Sequence, residues 1–97
     1  MTTLSQHQDF APFVGKRFEF DGQRVVLHLA AVDVRQPNPR AESDRTPFTL
    51  IFHGSVGDVL PEGLYRAHID GDAVADLYVM PIHTPERDRQ AFQAVFN

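Results

Sequence analysis

The chain has 97 residues, no cysteine and a net charge of −4, from 13 acidic and 9 basic side chains. Domains usually contain about 100–150 residues, so we expect one hydrophobic core and one domain over residues 1–97. The lack of cysteine excludes disulfides, thiolate metal sites and a thiol nucleophile. The acidic balance disfavours nucleic-acid binding. Short apolar runs and the absence of a signal-like start predict a cytoplasmic protein with no membrane contact.

The first fifteen residues, 1–15, predict a short helical plug. Thr3 or Ser5 is placed to cap a helix, and Gly15 is placed to end it. Pro12 should divide the segment into two short turns. Its apolar side chains recur at roughly helical spacing: Leu4, Phe10, Phe13 and Val14. We expect the segment to lay two phenylalanines over one end of a β core.

From Lys16 onwards the apolar residues follow the two-residue period of β-strands. Phe18 and Phe20 alternate with charged residues and lead into Asp21-Gly22, a common hairpin turn signal. The next strand is predicted from about Arg24 to Arg35.

That second strand changes its inward face part of the way along. Leu27 and Leu29 share one face, whereas Val32 and Val34 share the other. A change of face needs an extra residue, so we predict a β-bulge near Ala30-Ala31.

The second half of the chain predicts four more strands after a polar segment. Residues 36–46 contain two prolines and no apolar period, which is typical of a mobile surface loop. The predicted strands are Pro47–His53, Leu64–Ile69, Val74–Ile82 and Ala91–Phe96. Together these patterns predict a mainly β fold: a small antiparallel sandwich or barrel of about six strands with a short N-terminal helical segment. Six of the eight phenylalanines lie in predicted strands and can fill its core.

Histidine is the residue type whose distribution most suggests chemistry. His28, His53 and His68 all point away from the core faces of their strands. If those strands are neighbours, three imidazoles could converge on one outer surface and bind a divalent metal or a small ligand. The simpler interpretation is that they are solvent-facing polar residues, since no carboxylate stands beside them at a fixed ligand spacing.

Other motifs give no catalytic site, so we expect a protein that is not an enzyme and needs no cofactor. Asp70, Asp72 and Asp76 resemble the start of a calcium loop, but Ala75 occupies the glycine position and Pro81 the position of the final glutamate. The serines fall in predicted loops or the N-terminal segment without a nucleophile motif.

Read end to end, the chain resembles a family of small uncharacterised bacterial proteins, a domain of unknown function. The residues that carry the resemblance extend over most of the chain: Asp9-Phe10, Gly15, Phe18, Leu27-His28-Leu29, Pro47-Phe48-Thr49-Leu50-Ile51-Phe52-His53-Gly54, Leu60-Pro61-Glu62-Gly63-Leu64-Tyr65-Arg66, His68, Gly71, Met80-Pro81-Ile82 and Ala94-Val95-Phe96-Asn97. The resemblance implies a compact β-domain with no established activity. It also implies genes that often lie near phage-tail-collar-like or tail-fibre-like proteins, and hence an accessory role in assembly.

Two functions follow from these observations. The first is a non-catalytic protein-binding or assembly domain, with a protein partner or self-association through an edge strand or surface. Ile51, Val26 and Tyr78 are outward by strand parity and are candidates for that contact. The alternative is a metal- or small-ligand-binding β-barrel that uses His28, His53 and His68.

Overall fold

The computed structural model describes residues 2–34, 47–55, 57, 59–69, 73–82 and 89–96. The predicted loop at 36–46 lies outside the described residues. Two short helical turns and seven strands follow one another in the described part of the chain: β1 (Thr2–Thr3), α1 (His7–Phe10), a 3-10 turn (Ala11–Phe13), β2 (Arg17–Phe20), β3 (Val26–Val34), β4 (Phe48–Ser55), β5 (Gly63–Ile69), β6 (Ala73–Ile82) and β7 (Arg89–Phe96).

Six of these strands form a closed antiparallel barrel. Their order is β6-β5-β2-β3-β4-β7, and β7 pairs back onto β6 through Val79↔Ala94 to Ile82↔Ala91. Strand β1 is a short parallel addition beside Ala73 and Val74 of β6. The prediction of a mainly β antiparallel fold of about six strands is confirmed, and the β6–β7 pairing makes it a barrel.

A β-bulge in β3 lets the strand change its inward face. The register with β4 shifts between Leu29 and Ala31, where the sequence predicts the extra residue. Leu27 and Leu29 are buried before the bulge, and Val32 packs against the core after it. Small alanine side chains suit this site because the strand bends there. The bulge prediction is confirmed.

Aromatic rings occupy the barrel interior at two levels. In the middle, Phe52 contacts Phe18 with ring centres 5.0 Å apart and Phe20 with centres 6.1 Å apart. At one end, Phe48 and Phe96 stack at 4.4 Å. Edge-to-face and stacked rings bring large apolar areas together with favourable quadrupole contacts.

The N-terminal segment lies against the end of the barrel where β4 begins and β7 ends. Phe10 is fully buried there, with its ring 5.9 Å from that of Phe48 and 5.5 Å from that of Phe96. Phe13 packs against the same core. Gly15 leaves the segment with φ +89°, a left-handed conformation that favours glycine, and its N–H donates to the Leu29 carbonyl.

The predicted helix caps are wrong. Thr3 belongs to β1, and helix α1 begins at His7 after Gln6. The carboxylate of Asp9 accepts hydrogen bonds from the backbone N–H groups of Ser5 and Gln6. The carboxylate of an acidic residue in the first turn thus accepts hydrogen bonds from backbone N–H groups at the helix start, the role that the sequence prediction gave to a hydroxyl side chain.

Removal of a central ring tests the core. Phe52→Ala should lower the free energy of unfolding by about 3–5 kcal/mol, because it leaves a cavity between Phe18 and Phe20. Ile51→Ala is the matched control: its side chain is on the outer face of the same strand and only half-buried, so we expect about 1 kcal/mol. Chemical denaturation measures both, and equal losses would contradict this core.

An ion pair spans the outer face of β5 and β6. Arg66 and Asp76 stand directly opposite each other, with Nε–Oδ1 and Nη2–Oδ2 distances of 3.0 and 3.2 Å. The hydrogen bonds from Arg66 lower the pKa of Asp76 below its usual range. Both groups are exposed, so water and salt screen the interaction.

This ion pair predicts a small pH dependence of stability. Because the Asp76 pKa is lower in the folded state than in the unfolded state, its contribution is present above the unfolded pKa and is lost as the pH falls through the folded pKa. The difference in denaturation midpoint between the wild type and Asp76→Asn, measured by chemical denaturation at each pH, should therefore be constant near neutral pH. It should shrink below about pH 4. Asp33→Asn, on the exposed face of β3, is the control. An Asp76→Asn difference that persists unchanged in strong acid would contradict the assignment.

Candidate functional site

The three outward histidines lie on three different strands and do not form one cluster. His28 on β3 is directly opposite His53 on β4, as the metal hypothesis requires. His68 is on β5 and is separated from β3 by β2, a spacing of about 10 Å between backbones. No group of three or more metal-ligating side chains suited to an ion occurs among the described residues. Asp70 and Asp72, which resemble the start of a calcium loop in the sequence, lie outside the described residues.

A surface groove of about 510 Å³ crosses the outer face of β3, β2 and β5. Gly15 and Ile69 contribute to its wall, and the other lining residues are polar: Lys16, Arg17, Glu19, His28 and His68. Strand parity places Arg17, Glu19, His28 and His68 there, whereas Lys16 precedes β2. Arg17 and Glu19 alternate with the buried Phe18 and Phe20, so their side chains leave the barrel on the same side.

Cross-strand register arranges these polar residues in two adjacent rows. Arg17 is directly opposite His28, and Glu19 is directly opposite His68. Side chains opposite each other on neighbouring strands have Cβ atoms about 5 Å apart. The groove therefore brings two histidines of the sequence prediction beside an arginine and a glutamate, whereas His53 does not line it.

His68 is held in position by Asp21 of the β2–β3 turn. Its Nε2 lies 2.6 Å from Asp21 Oδ1, so the imidazole donates to the carboxylate when Nε2 carries the proton. The backbone N–H of Asp21 donates in turn to the Arg66 carbonyl of β5. These bonds tie the turn to β5, and His68 Nδ1 has no hydrogen bond to any other described residue.

A second surface of interest is apolar and lies on the outer face of β5, β6 and β7. Leu64 is directly opposite Tyr78. The β6–β7 ladder ends at Val79↔Ala94, and Tyr78 and Val95 are the next residues of the two strands beyond that pair. Leu64, Tyr78 and Val95 are 71%, 48% and 42% exposed. We call these three residues the outer apolar row.

The tyrosine of this row is fixed at its hydroxyl end. Tyr78 Oη donates a hydrogen bond to Glu62 Oε2 at 2.9 Å. This bond to the neutral phenol, together with partial desolvation, raises the pKa of Tyr78. The Tyr78 side chain is therefore restrained at its hydroxyl end, opposite Leu64, while about half of its surface stays exposed.

The sequence located part of these two surfaces. Parity identified Tyr78, His28 and His68 as outward residues, and the structure confirms this. Leu64 was missed, although the same parity that puts Tyr65 inside puts Leu64 outside. The Asp21–His68 contact joins residues 47 positions apart and has no local sequence signal.

Two aromatic side chains of β4 belong to the interior and do not form part of either outer surface. Phe48 and Phe52 are buried on the inward face of β4. Within the described ranges, no helix is long and apolar enough to cross a membrane.

The chain was compared with known families, curated proteins and solved structures. No curated protein and no solved structure matches it. A family match spans residues 5–96, from the N-terminal segment through β7, and is described as a domain of unknown function, DUF6916. That span includes both outer surfaces. This chain therefore belongs to the DUF6916 family.

Proposed function

We propose that this protein is a non-catalytic protein-binding or assembly domain whose outer apolar row contacts the partner. The observation that carries the proposal is the exposure of Leu64 and Tyr78, which are directly opposite each other, together with the exposure of Val95 on β7 just beyond the β6–β7 ladder. Scattered apolar side chains are common on protein surfaces, whereas contiguous ones favour a contact with another molecule.

Barrel closure supports a contact through side chains over a contact through a strand edge. β6 pairs with both β5 and β7, so each described barrel strand has a neighbour on both sides, although residues 30–34 of β3 and 63–65 of β5 extend past their ladders with β2. Edge-to-edge addition of a partner strand needs a run of unpaired backbone groups. We therefore place the proposed contact on the outer face, and self-association through an edge strand, the other form of the sequence prediction, stays a prediction.

The fixed tyrosine makes the outer apolar row well suited to binding. Tyrosine is enriched in protein interfaces because it offers a large apolar ring and few rotatable bonds. Tyr78 is already restrained by Glu62, so less conformational entropy is lost when a partner covers it. Leu64 supplies an aliphatic side chain beside it.

The family resemblance gives the class of partner that we propose. The partner is a fibre-like or collar-like protein encoded near this gene, and this domain is an accessory to its assembly or display. A small domain of high strand content with a rigid outer face is compatible with that task. The partner's contact surface should be apolar, to match Leu64, Tyr78 and Val95.

Substitution of the most exposed member tests the proposal. Leu64→Lys should weaken partner binding about 10- to 100-fold, since burial of a leucine side chain contributes about 1.5–3 kcal/mol and lysine adds a charge. Val14→Lys is the matched control, because Val14 is 46% exposed but lies in the N-terminal segment. The neighbouring fibre-like gene product, purified separately, is titrated into each variant by calorimetry.

Loss of binding in both variants, or in neither, would contradict the outer apolar row as the contact surface. A second readout covers self-association: sedimentation velocity should show any dimer of the wild type dissociated by Leu64→Lys and retained by Val14→Lys.

The alternative function, a metal- or small-ligand-binding barrel, is supported by His28 and His53, which are opposite each other, and by the groove that His28 and His68 line. Elemental analysis of protein purified without a tag separates the two functions. The metal alternative predicts a stoichiometric ion that His53→Ala removes. The protein-binding proposal predicts metal content that does not change on this substitution.

A further inference from the structure

We propose that the groove across β3, β2 and β5 binds a small zwitterion, a molecule that carries an anionic group at one end and an ammonium group at the other. This site is separate from the outer apolar row. The groove of about 510 Å³ has the size of a small-molecule site, and its lining is dominated by charged and polar side chains.

The argument begins with charges of opposite sign that share the groove without pairing. Arg17 and Glu19 project from the same face of β2, two residues or about 6.6 Å apart. Neither forms an ion pair with another residue in the described part of the chain, and Lys16 beside them is also without one. The groove thus presents a cationic end at Lys16 and Arg17 and an anionic position at Glu19.

This separation of charge selects the class of ligand. A simple anion is attracted by Lys16 and Arg17 but repelled by Glu19. A simple cation is attracted by Glu19 but repelled by Lys16 and Arg17. A zwitterion of matching length satisfies both groups at once, and charge-assisted hydrogen bonds are stronger than neutral ones. Discrimination of this kind arises from repulsion of the wrong ligand as well as attraction of the right one.

The two histidines add polar groups to the site. His68 is oriented by Asp21, which occupies its Nε2 and leaves the rest of the ring for the ligand. His28 stands opposite Arg17 and adds a further polar group at the cationic end. Most of the site thus lies on paired strands, and rigid strands hold binding groups more accurately than loops.

The experiment uses the full chain labelled with ¹⁵N and three probes of similar length. 6-Aminohexanoate carries both charges, hexanoate only the anionic charge, and hexylammonium only the cationic charge. Amide chemical shifts in β2, β3 and β5 should move on titration with 6-aminohexanoate. We expect its affinity to exceed that of either other probe by about tenfold, equivalent to about 1.4 kcal/mol.

Substitutions then assign each end of the ligand. Arg17→Gln should weaken 6-aminohexanoate about tenfold and leave hexylammonium unchanged or tighter. Glu19→Gln should weaken 6-aminohexanoate to a similar degree and leave hexanoate unchanged or tighter. Arg24→Gln and Asp33→Asn are the matched controls, since both remove one exposed charge outside the groove. Neither control should change the affinity.

Three results would overturn the proposal. Absence of shifts in the groove with 6-aminohexanoate would exclude the site, and equal binding of hexanoate would reduce it to a general anion site. Equal loss in the controls would show non-specific charge attraction. The probe comparison on wild type needs no substitution, so it remains decisive even if a variant is unstable. Leu64→Lys should leave the titration unchanged, which separates this result from the fate of the protein-binding proposal.

Discussion

The division of β6 between two neighbours is the constraint on which the rest of the structure depends. Residues Gly63 to Ile69 of β5 pair with Val79 to Ala73, while the last four residues of β6 pair with β7. A six-strand sheet closes into a barrel only if its first and last strands pair with each other. β6 is long enough to pair with β5 along one part and with β7 along another. Pro81 lies in the part of β6 that pairs with β7, directly opposite Phe92. Next to it, the side-chain amide of Gln93 donates a hydrogen bond to the sulfur of Met80 at 3.3 Å.

Because the barrel is closed, the inward side chains, the backbone groups and the outward side chains of each strand have different surroundings. The inward positions are taken up by packing, from Phe10 at one end to Phe52 in the middle. The backbone groups of β4 pair with β3 and β7, whereas residues 30–34 of β3 and 63–65 of β5 extend past their ladders with β2. Both proposed sites consist of outward side chains at alternate positions: Arg17 and Glu19 on β2, and Leu64 and His68 on β5.

Strand parity and turn chemistry made most of the fold predictable. The Asp21-Gly22 turn, the bulge at Ala30-Ala31 and the inward Phe48, Leu50 and Phe52 all follow from local patterns, because one face of each strand must be apolar. Barrel closure and the strand order were not accessible, since pairing of distant strands has no local signal. The β1–β6 pairing is of the same kind, and it displaced the predicted helix cap. The proposed sites could be predicted only in part. Strand parity gives the outward direction of His68, but only the fold brings Asp21 and Glu19 next to it.

Strand β5 carries both proposed sites and sets the relation between them. Leu64 and His68 lie on the same outer face, four residues or about 13 Å apart, with the Arg66–Asp76 ion pair between them. A partner centred on Leu64 and Tyr78 would reach the ion pair before it reached the groove. The groove lies toward β3 and the outer apolar row toward β7, so the two can be occupied together. Coupling between them would have to pass along β5 itself, through the backbone bond that links Arg66 to Asp21 and thus to His68.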